Sequence, residues 1–285
     1  MFKSVTCKKC LFAKLDQIPV TYRNAVNRTL LMDNLDLPDT YRPPPDLLKD
    51  RVILITGAGQ GLGKAAALAC ARHGASVILH GRNTKKLEQT YDEIAAAGCH
   101  PATIFPLDLA AATDKDFEQM AQALGQEFGR LDGLLHCAAL LASLRPLALE
   151  PLDDWLKLLR VNLAAPFALT RACLPLLRKS DNASVIFTSE SHGIEPSAYW
   201  GGFAVSKYAL QALLAIWSAE LSATENLRMN IVVPGPMASP QRAVTHPGED
   251  KTQLKTPDTV ARGLLYLLSS DSKSVSGQIL NIDTQ

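Results

Sequence analysis

The 285-residue sequence lacks three features that would narrow its function at once: a charge excess, a membrane-length apolar run and a secretory cysteine pattern. Its 29 basic and 28 acidic side chains leave a formal net charge of +1, so nothing indicates nucleic acid as a partner. No apolar run reaches the roughly 18 residues of a transmembrane helix. With no secretory signal, the six cysteines indicate reduced residues and not a disulfide framework.

The first 46 residues differ in composition from the rest of the chain. Residues 1–15 contain four lysines and no acid, and four prolines between residues 38 and 45 disfavour regular helix. Cys7 and Cys10 have the spacing of a zinc half-site, but no second pair of ligands is visible, and we predict no metal. We therefore predict an N-terminal extension over residues 1–46 and one domain over residues 47–285.

The domain alternates short β-branched runs with longer helical patterns. This alternation predicts an α/β fold, a Rossmann-type doubly wound parallel sheet of about seven strands with helices on both faces. The predicted strands are 51–56, 76–80, 102–107, 133–137, 184–188, 229–233 and 278–282. The predicted helices are 61–73, 84–97, 114–128, 153–178, 202–223 and 257–269.

A glycine-rich segment, Thr56-Gly57-Ala58-Gly59-Gln60-Gly61-Leu62-Gly63, joins the first strand of the domain to its first helix. Gly57 permits a tight turn, Gly61 lets the backbone approach a pyrophosphate, and Gly63 lets the helix pack close to the sheet. The free N–H groups of the helix N-terminus then face the phosphates. The strand before the segment and the helix after it make this a predicted dinucleotide-binding loop.

These motifs resemble those of the short-chain dehydrogenase/reductase family over residues 47–285. The glycine loop matches T-G-x-x-x-G-x-G in full, and the stretches 46–51 and 254–257 resemble a bacterial-type branch of uncharacterised oxidoreductases. The resemblance implies that Asp108 contacts adenine. It also implies that Pro234, Gly235 and Ser239 form the loop beside the nicotinamide amide, with serine in place of threonine.

The end of the second strand indicates which cofactor the loop takes. An acid there would bind the ribose 2′-hydroxyl of NAD, whereas an arginine meets the 2′-phosphate of NADP. The sequence His80-Gly81-Arg82-Asn83 has no acid and places Arg82 at this point, although Gln60 stands where the family has a second basic residue. We therefore predict NADP(H) as the cofactor.

The resemblance implies a catalytic set of tyrosine, lysine, serine and asparagine. Lys207 and Asn162 match the lysine and the asparagine, but Phe203 stands at the tyrosine. Counting back from Gly193 places Glu190 at the serine. A phenyl ring has no proton to give, so the usual acid/base step loses its agent.

Two neighbouring groups offer a replacement for the missing hydroxyl. Tyr199 precedes Phe203 by four residues and does not reproduce the one-turn spacing to Lys207. Glu190 offers a carboxyl group as an unusual acid, although an ion pair between Glu190 and Lys207 is the simpler interpretation. The main prediction is a catalytically silenced structural or cofactor-sensing subunit. The alternatives are an active NADP-dependent carbonyl reductase or dehydrogenase with an atypical acid, and a stand-alone NADP(H)-binding regulator.

The extension and two apolar helices suggest protein partners. Residues 1–46 add no element that the predicted sheet needs, and we expect them to dock onto other subunits. The segments 153–178 and 202–223 are apolar on more than one face, which favours a homodimer. The basic start of the chain faintly resembles an organelle presequence, so we predict a mitochondrial location, with the cytoplasm as the alternative.

Overall fold

The computed structural model describes residues 32–35, 41–224 and 226–282, and these residues form a doubly wound α/β fold around one parallel sheet. The sheet has eight strands in the order β1-β8-β7-β6-β5-β2-β3-β4. The strands are β1 (Met32–Asn34), β2 (Val52–Thr56), β3 (Ser76–Gly81), β4 (Thr103–Pro106), β5 (Gly133–His136), β6 (Ala183–Thr188), β7 (Leu227–Val233) and β8 (Ile279–Asn281). The predicted fold class is confirmed.

Helices cover both faces of the sheet, so the central strands β2, β5, β6 and β7 are buried along their whole length. The helices are α1 (Gly61–Arg72), α2 (Thr84–Ala96), α3 (Asp114–Phe128), α4 (Leu152–Leu159), α5 (Ala165–Leu177), α6 (Gly201–Glu220), α7 (Pro240–Thr245) and α8 (Pro257–Leu268). One core cluster joins α3, α5 and α6 to the sheet, and the other joins α1, α2 and α8 to its opposite face. All five residues of β2 are buried between these clusters.

Part of the predicted extension belongs to the sheet. Strand β1 pairs in parallel with β8, with Met32 opposite Ile279, and raises the number of strands from the expected seven to eight. Tyr41 then packs edge-on against Tyr266, with ring centroids 5.6 Å apart. The boundary at residue 46 stays a prediction. Residues 1–31, with Cys7 and Cys10, lie outside the described residues.

The predicted helix over residues 153–178 is interrupted. Helix α4 ends at Leu159, a wide π-helical turn follows at Arg160–Ala164, and α5 starts at Ala165. Such turns often mark functional sites. This one carries Asn162, whose side chain is fully buried. The sequence pattern does not reveal the turn because residues 160–164 are compatible with an ordinary α-helix.

Two kinds of feature are absent from the part of the chain that the structure describes. None of its helices is both long and apolar enough to cross a membrane. Its histidines, cysteines and carboxylates do not form a group of three or more that could hold a metal ion.

Candidate active site

A cavity of about 370 Å³ opens where β2, β3, β5, β6 and β7 end. This is the edge at which open parallel sheets bind their ligands. All the predicted site residues except Asn162 line it: Gly57, Gly61, Gly63, Arg82, Asp108, Glu190, Phe203, Lys207, Pro234, Gly235 and Ser239. The fold thus brings together residues that lie up to 182 positions apart in the sequence, from Gly57 to Ser239.

The glycine loop has the geometry that a dinucleotide pyrophosphate requires. Gly57 has a positive φ of 71°, and a Cβ there would lie 2.9 Å from the Cα of Ala138. A Cβ on Gly63 would overlap the carbonyl oxygen of Gly57, so α1 packs against the loop only because this residue is glycine. Gln60 precedes α1 and makes no side-chain capping bond to it. The first N–H groups of α1 therefore remain available to an anion.

Three side chains surround the part of the cavity nearest β3 and β4. Arg82 follows β3 and is exposed, and Asp108 follows β4, with one carboxylate oxygen accepting the N–H of Ala110 at 3.0 Å. Lys86 also lines the cavity, and its Nζ donates to Oε1 of Gln60. Sequence reasoning missed Lys86 because it considered only Gln60 for the second basic position. The helical position of Lys86, one turn after Asn83, was the available signal.

Lys207 is the buried cation of the site. Its side chain on α6 is only 3% exposed, and its Nζ donates to the carbonyl oxygen of Thr188 at 2.7 Å. The ring of Phe203 lies one turn earlier, with its centroid 6.0 Å from Nζ. Burial lowers the pKa of Lys207 to about 8, while the negative charge of Glu190 opposes this decrease.

Glu190 has a partner other than the one expected. Its Oε1 lies 2.7 Å from Nδ1 of His192 and accepts the hydroxyl of Ser191 at 2.9 Å, while Oε2 accepts the His192 N–H at 3.0 Å. The predicted Glu190–Lys207 ion pair is therefore wrong, because the local turn after β6 satisfies the carboxylate first. His192 in turn stacks on Trp200 at 3.8 Å.

Two further polar groups lie beside Lys207. Asn162 binds both backbone groups of Leu140, at 2.8 and 2.9 Å, and donates to Ser206 at 3.1 Å. It ties the loop after β5 to α6 from behind the cavity. Ser189 lines the cavity, is 5% exposed, and its hydroxyl has no hydrogen-bond partner among the described residues.

The loop after β7 closes the other side of the cavity. Gly235 has a positive φ of 67°, which turns the chain towards α7. Ser239 caps α7 by accepting the N–H of Arg242 at 3.1 Å. Tyr199, considered above as a replacement acid, is 60% exposed and does not line the cavity.

Comparisons with known proteins agree with this geometry. The family model for short chain dehydrogenases matches residues 51–250. The chain is 40% identical over 237 residues to the uncharacterized oxidoreductase YciK of Escherichia coli K12, covering 83% of this chain and 93% of YciK. It is 30% identical over 244 residues to the 3-oxoacyl-[acyl-carrier-protein] reductase FabG of Thermotoga maritima, covering 83% of this chain and 97% of FabG.

A solved structure adds a cofactor to this comparison. A short chain dehydrogenase from Escherichia coli CFT073, in complex with NADPH, superposes with a TM-score of 0.82 and 40% identity. The match covers 85% of this chain and all of that one. The NADPH in this neighbour supports the predicted NADP(H) cofactor.

These relatives overturn the main functional prediction. The expected silenced structural or cofactor-sensing subunit is wrong, because the relatives are oxidoreductases and the solved neighbour holds NADPH. The prediction inferred a loss of activity from Phe203 and Glu190, which stand at the expected tyrosine and serine positions. In the structure, the glycine loop and the buried side chain of Lys207 line the same cavity.

Proposed function

Because the chain belongs to the short chain dehydrogenase family, we propose that it is an active NADP(H)-dependent oxidoreductase that interconverts a carbonyl group and an alcohol. The observation that carries this proposal is the joint position of the glycine loop and Lys207 in one cavity. A nicotinamide cofactor held by the loop would supply the redox chemistry. The rest of the cavity would position the substrate and handle its proton.

Arg82 and Lys86 support NADP(H) over NAD(H). Both are cations that line the cavity just beyond β3, where the cofactor ribose meets the protein in this fold. Among the described residues, Arg82 has no carboxylate partner within ion-pair distance. Its charge is therefore available to a phosphate, and a bidentate contact from a guanidinium is among the stronger hydrogen bonds.

The catalytic residues differ from the usual set in this proposal. Phe203 takes the place of the tyrosine and Glu190 that of the serine, so the proton and the substrate oxygen need other partners. The unpartnered hydroxyl of Ser189 is the group that we assign to the substrate oxygen, since an unsatisfied buried donor gains most from a ligand. Tyr199 is 60% exposed and lies outside the cavity lining, and Glu190 is bonded to His192.

The test is a turnover assay on the purified full chain. NADPH oxidation should be detectable with at least one class of carbonyl compound, and calorimetry should show NADPH binding. Reactions without carbonyl compound and without protein are the controls. NADPH binding without turnover on aldehydes, ketones or 3-oxoacyl thioesters would contradict the proposal.

The predicted mitochondrial location finds no support in these relatives. YciK and FabG, which match most of the chain, come from Escherichia coli and Thermotoga maritima, both bacteria. The cytoplasmic alternative is therefore preferred here. Fractionation of cells that express the full chain at its natural level would test it.

A further inference from the structure

The ammonium of Lys207 has more N–H donors than the surrounding residues offer acceptors. Its Nζ carries three N–H groups, and among the described residues it makes one hydrogen bond, to the carbonyl oxygen of Thr188. The ring of Phe203, 6.0 Å away, offers only its weakly negative face. The side chain is nine-tenths buried and lines the cavity. The remaining donors are therefore free to meet a ligand inside the cavity.

Three titratable groups face Lys207 from the elements that pack around it. Burial raises the pKa of Cys137 to about 12 and lowers the pKa of His136 to about 3, so both are neutral near pH 7. Glu190, after β6, is the third, and its charge raises the pKa of Lys207. The charge of this part of the cavity at neutral pH is thus determined by Lys207 and Glu190, with His192 bonded to the latter.

On the basis of the proposed function, we propose that Lys207 itself gives a proton to the substrate oxygen in reduction and removes it in oxidation. In reduction, the carbonyl carbon gains a hydrogen and two electrons from NADPH, which is oxidised to NADP⁺. The π pair of the C=O bond moves to the oxygen. An Nζ–H bond of Lys207 breaks, an O–H bond forms, and Lys207 is left as a neutral amine that takes a proton from water.

The position of Lys207 suits both directions of this exchange. Burial lowers the pKa of Lys207 to about 8, so the ammonium and the amine coexist close to neutral pH. An acid/base group works best when its pKa lies near the working pH. Glu190 is the competing candidate, but its oxygens already accept from Ser191 and His192.

The variant Glu190→Gln separates the two candidates. If Lys207 is the acid, removing the negative charge of Glu190 lowers the pKa of Lys207. The alkaline limb of the kcat profile for carbonyl reduction should then move to lower pH, with most of the rate retained below the limb. If Glu190 is the acid, the rate should fall about 10²–10⁴-fold across the whole profile. Glu195→Gln, on the same loop but outside the cavity, is the matched control and should leave the limb unchanged.

A spectroscopic measurement tests the same point without turnover. The ¹³Cε resonance of Lys207 can be assigned by its loss in Lys207→Arg and titrated in the protein without cofactor. We expect a midpoint near pH 8 that decreases in Glu190→Gln. A midpoint that stays at the ordinary lysine value of about 10.4 would overturn the role of Lys207.

The two proposals fail in different ways. The wild type could turn over while the lysine midpoint is unshifted or the rate collapses in Glu190→Gln. That result would overturn the proton-donor role of Lys207 and leave the proposed oxidoreductase activity intact. An absence of turnover in the wild type would overturn both. Lys207→Arg keeps the charge but gives no proton near neutral pH. Its kcat should therefore fall by about 10² or more, and by more than its NADPH affinity.

Discussion

At the scale of single residues, we propose that Arg82 is the main charge that meets the ribose end of the cofactor. Arg82 follows β3, and no acid stands beside it in the stretch from His80 to Asn83. A carboxylate at this point favours NAD by binding the ribose 2′-hydroxyl, and it repels a 2′-phosphate. We therefore expect the choice of cofactor to depend on a contact that a single substitution can reverse.

We predict that Arg82→Asp weakens NADPH binding by about tenfold or more and leaves NADH binding nearly unchanged. A charge-assisted hydrogen bond to a phosphate contributes about 1.5–3 kcal/mol, and the new carboxylate adds repulsion. Calorimetry with both cofactors measures the effect. Lys85→Asp makes a similar charge change on an exposed neighbour that does not line the cavity, and serves as the control. An equal loss for both cofactors would contradict the 2′-phosphate contact.

The catalytic residues show what could be predicted from single residues of the sequence and what could not. The family resemblance implied that Lys207, Phe203 and Glu190 belong to one site, and all three line one cavity. The loss of activity was wrongly inferred from Phe203 and Glu190 at the expected tyrosine and serine positions. The proton-donating capacity of a lysine depends on its burial, and burial arises from the packing of α6 against distant strands. No local motif contains that information.

At the scale of elements, the sheet edge contains a strand that periodicity could not predict. Strand β1 has three residues, of which Asp33 and Asn34 are polar, so it carries no alternating pattern. Its pairing with β8 is a contact between opposite ends of the chain. By contrast, the seven strands that alternate with helices were predicted to within two residues at each end, because each contains a short, mostly apolar run bounded by helical segments.

We predict that deletion of residues 1–46 destabilises the domain, because it removes β1 and Tyr41. The lost strand pairing and the Tyr41–Tyr266 contact together correspond to about 2 kcal/mol, or about 4–8 °C in Tm for a domain of this size. Deletion of residues 1–31 keeps both contacts and is the matched control. Equal Tm values for the two deletions would contradict the stabilising role.

The same pair of deletions tests the docking prediction for the extension. If residues 1–46 bind other subunits, both deletions should lose partners that co-purify with the full chain. If only the longer deletion has an effect, and that effect is on Tm, the extension serves its own domain.

At the scale of the whole molecule, an apolar surface remains on the outside of α4 and α6. Helices α4 and α6 pack against each other, and their outer sides expose Leu156 by 53% and Ile216 by 54%. Trp217 of α6 is buried and stacks against Phe167, with ring centroids 5.8 Å apart. Exposed apolar area of this kind marks an interaction surface more often than a free one.

We propose that this surface joins two copies of the chain, and we predict a homodimer by light scattering. In a two-fold symmetric contact, each copy contributes the same residue, so one substitution introduces two charges into the interface. Ile216→Glu should therefore raise the dissociation constant of the dimer at least tenfold and shift the measured mass towards that of the monomer. Val244→Glu changes a 74% exposed residue on α7 and is the matched control, which should remain dimeric. A monomeric wild type, or equal masses for the two variants, would contradict the proposed interface.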